Sequence, residues 1–298
     1  MKLLRTPDEL FENLPDYPFK PNYLNVEGIR IHYIDEGLKD AEAILLMHGE
    51  PSWSYLYRHM IPILLEAGFR TIAPDLVGFG RSDKPTEKSD HTFRKHVEWI
   101  SSFVNMLDLK NITLFCQDWG SLIGLRVAIE NQERFSRIVL SNGGLPTGVR
   151  KPTEAFLEWQ HFSRTATKFN VGRIIQGATI TKLPRNVIKA YDAPFPDDTF
   201  KAGPKIMPSL VPTSIEDPEH EANKEAWEQF SQWKKPFLTA FSDKDPITRG
   251  GYRKWQEKVP GAQGQKHVTI KDGGHFVQED KGPELANLII EFIKSNPL

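Results

Sequence analysis

The sequence predicts an α/β protein, with a mostly parallel central sheet flanked by helices and a helical cap inserted into it. Three observations carry that reading. Strand-like and helix-like stretches alternate over about a hundred residues, as in an open parallel sheet covered on both faces. From about Leu145 to Glu228 the alternation lapses into prolines, aromatics and helical stretches such as Glu154–Thr165. Strand-like runs then resume at Pro236–Phe241 and His267–Ile270, each followed by a helical pattern. One core interrupted by an insertion accounts for this better than two tandem domains. Residues 1–144 and 229–298 are therefore assigned to the core, and residues 145–228 to the cap.

Tyr23–Val26 and Ile29–Ile34, with Glu27-Gly28 between them, predict a hairpin. Ala43–Met47 is short and apolar throughout, the signature of a buried parallel strand, and runs straight into His48-Gly49. A helix near Tyr55–Glu66 follows, then a strand at Arg70–Ala73 ending at Pro74-Asp75. His96–Leu107 reads as an amphipathic helix. Asn111–Gln117 reads as a second buried strand, broken at Asp118-Trp119-Gly120, before a helix at Leu122–Glu130 and a strand at Phe135–Ser141. In such folds a cap lies over the carboxyl edge of the sheet, where ligands bind.

Composition narrows the function. The 298 residues carry 38 Lys+Arg against 39 Asp+Glu, a formal charge of −1, with no basic stripe and no acidic block. Neither nucleic acid nor an anionic membrane is expected as the main partner. A hydrophobic share of 39% and a charged share of 26% exclude disordered and fibrous classes. The single cysteine cannot form an internal disulfide or a Cys-rich metal site. The first residues, MKLLRTPDEL, lack the apolar core of a signal peptide. No apolar run approaches the length of a membrane span. A soluble, cytoplasmic, monomeric protein is expected.

The sharpest local feature is Cys116-Gln117-Asp118-Trp119-Gly120-Ser121. A tight strand-to-helix turn needs small residues two before and two after its apex, and Cys116 and Gly120 supply them. Asp118 then stands where esterase-type hydrolases carry serine. On the turn alone, Asp118 could equally be a cap for the following helix. The rest of the chain separates the two readings. A hydrolase of this kind wants nucleophile, acid and histidine in that order. Phe241-Ser242-Asp243-Lys244-Asp245-Pro246 offers an acid, and Asp272-Gly273-Gly274-His275-Phe276 a histidine, each after a predicted strand. Together they predict an α/β-hydrolase triad.

His48-Gly49-Glu50-Pro51-Ser52-Trp53, Asp75-Leu76-Val77-Gly78-Phe79-Gly80-Arg81-Ser82, Gln117-Asp118-Trp119-Gly120-Ser121 and Gly274-His275-Phe276-Val277-Gln278-Glu279 in combination resemble the haloalkane dehalogenases. The resemblance runs over nearly the whole chain and is weakest in the cap. Two branches of that family place the triad acid differently. Here the first place is Asn142, which has no carboxylate, so the resemblance implies Asp245, with Asp243 left as a turn residue. It also implies halide binding by Trp119 and a second donor. Many members use an asparagine at the place of Glu50, but an ionised glutamate only accepts hydrogen bonds. The second donor then falls to a cap tryptophan, Trp159 in Phe156-Leu157-Glu158-Trp159, while Trp227 and Trp233 read as packing.

The chemistry implied is displacement of halide by Asp118, then hydrolysis of the ester by water activated by His275, which Asp245 orients. Backbone N–H groups of Glu50 and Trp119 would hold the oxyanion. The partners expected are a small uncharged halogenated substrate, water and a halide ion, with no metal or organic cofactor. His48, Cys116 and Ser121 are read as shaping the turns rather than reacting. An epoxide hydrolase is the nearest alternative, but it needs two cap tyrosines and residues 145–228 contain only Tyr191. A fluoroacetate-type enzyme would want arginine in place of Trp119. A non-catalytic binding protein of the same fold would often lack a triad member, and this chain has all three.

Overall fold

The computed structural model describes residues 1–298. Eight strands form one sheet: β1 (Asn22–Val26), β2 (Ile29–Glu36), β3 (Ala43–Met47), β4 (Arg70–Pro74), β5 (Ile112–Asp118), β6 (Phe135–Gly143), β7 (Phe237–Ser242) and β8 (Val268–Ile270). Their order is β1-β2-β4-β3-β5-β6-β7-β8. β2 runs antiparallel to both its neighbours, and every pair from β4 to β8 is parallel.

All five residues of β3 are buried because both faces of the sheet are covered. Leu45 and Met47 pack with helices Phe93–Met106 and Trp119–Glu130, whereas Ile44 and Leu46 pack with Ile61–Glu66 and Val277–Ser295. β4 lies on one side of β3 and β5 on the other, so the strand order reverses there. A crevice opens at the carboxyl ends of β3 and β5, where Met47 pairs with Cys116. This reversal is what positions the site.

Most predicted elements lie within a few residues of their observed bounds. One is divided: the stretch read as a helix near Tyr55–Glu66 is a 3₁₀ turn at Ser54–Tyr57 followed by an α-helix at Ile61–Glu66. Pro62 explains the break, since its ring would clash with the carbonyl four residues earlier and it has no N–H to donate. Between β6 and β7 there is no strand. Helices Glu154–Thr165, Val171–Gly177, Arg185–Asp192, Ala202–Ile206 and His220–Phe230 occupy that span.

Two polar ties join these helices to the rest. Asp280 accepts from the N–H groups of Thr181 at 2.7 Å and of Gly274 at 2.7 Å. Arg58 and Glu279 pair in the interior, each side chain 2% exposed, and the Tyr191 hydroxyl donates to the same Glu279. No helix is long and apolar enough to cross a membrane.

Candidate active site

Asp118 ends β5 with φ 50° and ψ −128°, backbone that side-chain-bearing residues rarely adopt. The surroundings hold it there. A Cβ on Gly120 would lie 2.0 Å from the Met47 carbonyl oxygen, so only glycine lets the following helix sit this close to β3. A Cβ on Gly49 would lie 2.5 Å from that of Asp118. The Ser121 hydroxyl donates to the Asp118 carbonyl at 2.6 Å and accepts from the Gly144 N–H at 2.8 Å. The Asp118 side chain makes no capping hydrogen bond to the helix it precedes. Its Oδ1 instead accepts from the Glu50 N–H at 2.7 Å.

Asp118 Oδ2 faces His275 Nε2 at 3.3 Å, and His275 Nδ1 lies 3.1 Å from Asp245 Oδ2. The structure thus brings the three predicted residues together in one line. Asp245 is 1% exposed. Burial would raise its pKa, but His275 beside it and hydrogen bonds from Thr248 and the Ile247 N–H hold it below its usual value. Burial would lower His275, yet the Asp245 charge and the bonds to both aspartates outweigh that and lift it to about 10. Asp243 is the turn residue expected, its Oδ1 accepting from the Asp272 N–H at 2.8 Å.

Comparison with known proteins shows the family. The α/beta hydrolase fold family model matches residues 42–282. The haloalkane dehalogenase of Psychrobacter cryohalolentis is 55% identical over all of both chains. That of Mycolicibacterium paratuberculosis is 49% identical over 98% of each. The chain belongs to the haloalkane dehalogenase family. As a dehalogenase it is a hydrolase acting on carbon–halide bonds. Among solved structures, the tetrameric haloalkane dehalogenase DpaA from Paraglaciecola agarilytica superposes with a TM-score of 0.89, at 38% identity over 97% of each chain.

Around Asp118 the dehalogenase encloses a cavity of about 620 Å³, lined by Glu50, Trp119, Trp159 and His275 among others. Trp119 follows Asp118 on the same turn. Trp159 comes from helix Glu154–Thr165 and is braced against Phe162 and Phe169, ring centres 5.7 and 5.9 Å away. Trp227 also lines the cavity, but its indole N–H donates to the Leu145 carbonyl at 2.7 Å. Trp53 likewise donates to Ala190. Tyr191, the one tyrosine of residues 145–228, is wholly buried on Glu279 and does not line the cavity.

Glu50 lies in surroundings that disfavour the ionised side chain expected of it. It is 3% exposed and its Oε1 has no hydrogen-bond partner. Burial, with the Asp118 charge adding to it, raises its pKa well above the usual carboxylate value, while Trp159 and His275 oppose the shift. A neutral carboxyl carries an O–H, so its side chain can donate as well as accept.

Around the three residues lie others to which the sequence motifs assigned no reacting role. Asn142, noted only for lacking a carboxylate, donates from Nδ2 to the carbonyls of Gly274 at 2.9 Å and His275 at 3.0 Å. It thereby pins the histidine loop. Gln117 Nε2 also donates to the His275 carbonyl at 3.2 Å. His48 accepts the Leu76 N–H on Nε2 at 2.9 Å, so its Nδ1 proton goes to the Gly49 carbonyl. Burial lowers its pKa, in keeping with a neutral, structural ring. Cys116 is fully buried and its thiol pKa is raised by burial, as expected of filler.

His96 lies beside Trp119, ring centres 6.5 Å apart, and stacks on His91, with Nδ1 of His91 3.2 Å from Nε2 of His96. Burial lowers both, His91 to about 4. The folded protein therefore refuses protons that the unfolded chain takes up below about pH 6.5. Their contribution to stability is whole above that pH and is lost as pH falls toward 4. The His91 shift alone corresponds to roughly 3 kcal/mol. The urea midpoint should drop steeply between pH 6.5 and 4.5, and less so in a His91→Gln/His96→Phe variant. Equal slopes in the two proteins would show that this pair is not the acid-labile element.

Proposed function

We propose that the dehalogenase converts small haloalkanes to an alcohol, a halide ion and a proton through an ester on Asp118. The observation that carries this is the line from Asp118 through His275 to Asp245, with the Glu50 N–H on the remaining Asp118 oxygen. Oδ1, held by that N–H, stays as the carbonyl oxygen, and Oδ2 attacks the carbon opposite the halogen. The C–O bond forms as the C–X bond breaks, and the electron pair leaves with the halide. A carboxylate suits this step because it leaves an ester, which water can cleave, whereas serine would leave a stable ether.

Water, deprotonated by His275, then adds to the ester carbonyl. The N–H groups of Glu50 and Trp119 hold the oxyanion. Its collapse breaks the ester C–O bond, the departing alkoxide takes the proton from His275 to leave as the alcohol, and the Asp118 carboxyl gives up its proton to solvent. The electrostatics order the two steps. While Asp118 is ionised it helps hold a proton on His275. Esterification removes that charge, and with it part of what keeps the ring protonated, so the ring moves toward the neutral form a base requires. In this reading residues 145–228 are a cap over the core formed by 1–144 and 229–298, and supply Trp159.

Bromide release and acidification with a short terminal bromoalkane test the proposal. Release of bromide and protons in equal amounts supports it; turnover of an epoxide with no release from any bromo- or iodoalkane would overturn it. Trp119 and Trp159 are proposed to donate their indole N–H groups to the halogen as charge builds on it. Removing one such donor costs about a hundredfold. Trp159→Phe should therefore slow the single-turnover release of bromide by about that factor and weaken bromide binding. An unchanged rate would move the second donor from Trp159 to a protonated Glu50 carboxyl, and Glu50→Ala would then carry the loss.

A further inference from the structure

Four cations stand where the active-site cavity meets solvent. Arg150, Lys151, Arg249 and Lys254 all line it and all are exposed. None makes an ion pair. The two carboxylates that line the same cavity, Glu50 and Asp118, belong to its floor. In a chain whose formal charge is only −1, this is a local excess of one sign.

One of the four is fixed in place. The Lys254 ammonium lies 3.6 Å from the centre of the Trp227 ring, and Trp227 packs on Trp255 with ring centres 4.0 Å apart. Such a cation over an indole face is held by the ring's quadrupole. Arg150 is near enough for its charge, with burial and Lys258 ahead of it, to lower the Lys254 pKa. Like charges gathered at a partly apolar wall repel, and the repulsion is relieved when an anion enters between them.

We propose that this mouth is a subsite for an anionic group at the far end of the substrate, so that the enzyme takes terminally halogenated alkanoates as well as uncharged haloalkanes. The halogen lies at Asp118, the methylene chain crosses the apolar wall between, and the carboxylate meets Arg150 and Lys254. The proposal rests on Asp118 being the reacting group. Departing halide is the other anion that could use the same charges, and the experiment separates the two.

The test compares terminal bromoalkanes with ω-bromoalkanoates of matched and increasing chain length, in the wild type and in an Arg150→Glu/Lys254→Glu variant. With two rim cations reversed, the loss for the alkanoates should be roughly tenfold in kcat/KM, mostly through KM, with the bromoalkanes changed less than about twofold. In the wild type the alkanoates should overtake the bromoalkanes once the chain is long enough to span the cavity. Two results would overturn the proposal: alkanoates poorer than bromoalkanes at every length, or equal losses for both substrate classes in the variant. A fall confined to bromoalkane kcat, with a changed bromide inhibition constant, would assign the charges to halide exit instead. If the wild type released no bromide from any bromoalkane, the role of Asp118 would fall first and this subsite with it.

Discussion

His275→Phe should leave an enzyme that releases about one bromide per active site and then stops. The first step needs only the Asp118 carboxylate and the donors around the halogen. The second needs a base, and His275 is the side chain 3.3 Å from Asp118 Oδ2 with its other nitrogen on Asp245. A positioned general base contributes on the order of 10²–10⁴ in rate, so the ester should outlive that of the wild type by about that factor. Phenylalanine roughly keeps the ring's volume at a site 4% exposed, which protects the packing. Asp245 keeps its bonds from the Ile247 N–H and Thr248, so its charge is not left bare. Intact mass after incubation with a bromoalkane should show one added alkyl group, and peptide mapping should place it on Asp118. Steady turnover, or a burst without an adduct, would mean that the roles are wrongly assigned.

Comparison of sequence with structure shows which kinds of residue a linear pattern can mark. Asp118, Asp245 and His275 are legible because each follows a strand and the chain order of a hydrolase triad is fixed by topology. The alternation from Ala43 to Ser141 is legible because a strand covered on both faces must be apolar throughout. What stays hidden is set by contacts between distant segments. Asn142 looks like an absence in the sequence, yet it bonds to Gly274 and His275, more than 130 residues away. Glu50 reads as a charge because glutamate ordinarily is one; the rise in its pKa depends on burial and on the Asp118 charge beside it. The break at Pro62 carries a signal that could have been used, since proline four residues after Arg58 already forbids one continuous helix.

Asp245→Asn tests the acid, and its expected effect is as large. An amide cannot stabilise the imidazolium, and it can present an N–H where His275 Nδ1 needs an acceptor. Loss of the equivalent charge in a hydrolase triad costs about 10⁴ in kcat, so a fall of roughly 10³–10⁴ is expected here. It should lie in ester hydrolysis, with the bromide burst retained. Asp245 is the largest influence raising the His275 pKa, so in the variant the ring should lose its proton well below the value of about 10. The alkaline limb of an imidazole NMR titration should move down accordingly. Adding Asn142→Asp should not restore activity. Asn142 Nδ2 donates to two backbone carbonyls and to the Ser242 hydroxyl, and a carboxylate there would set oxygen against oxygen and loosen the loop that carries His275. Recovery of turnover in the double variant would show that the loop can turn its histidine toward β6, and the assignment of Asp245 as the only competent acid would fail.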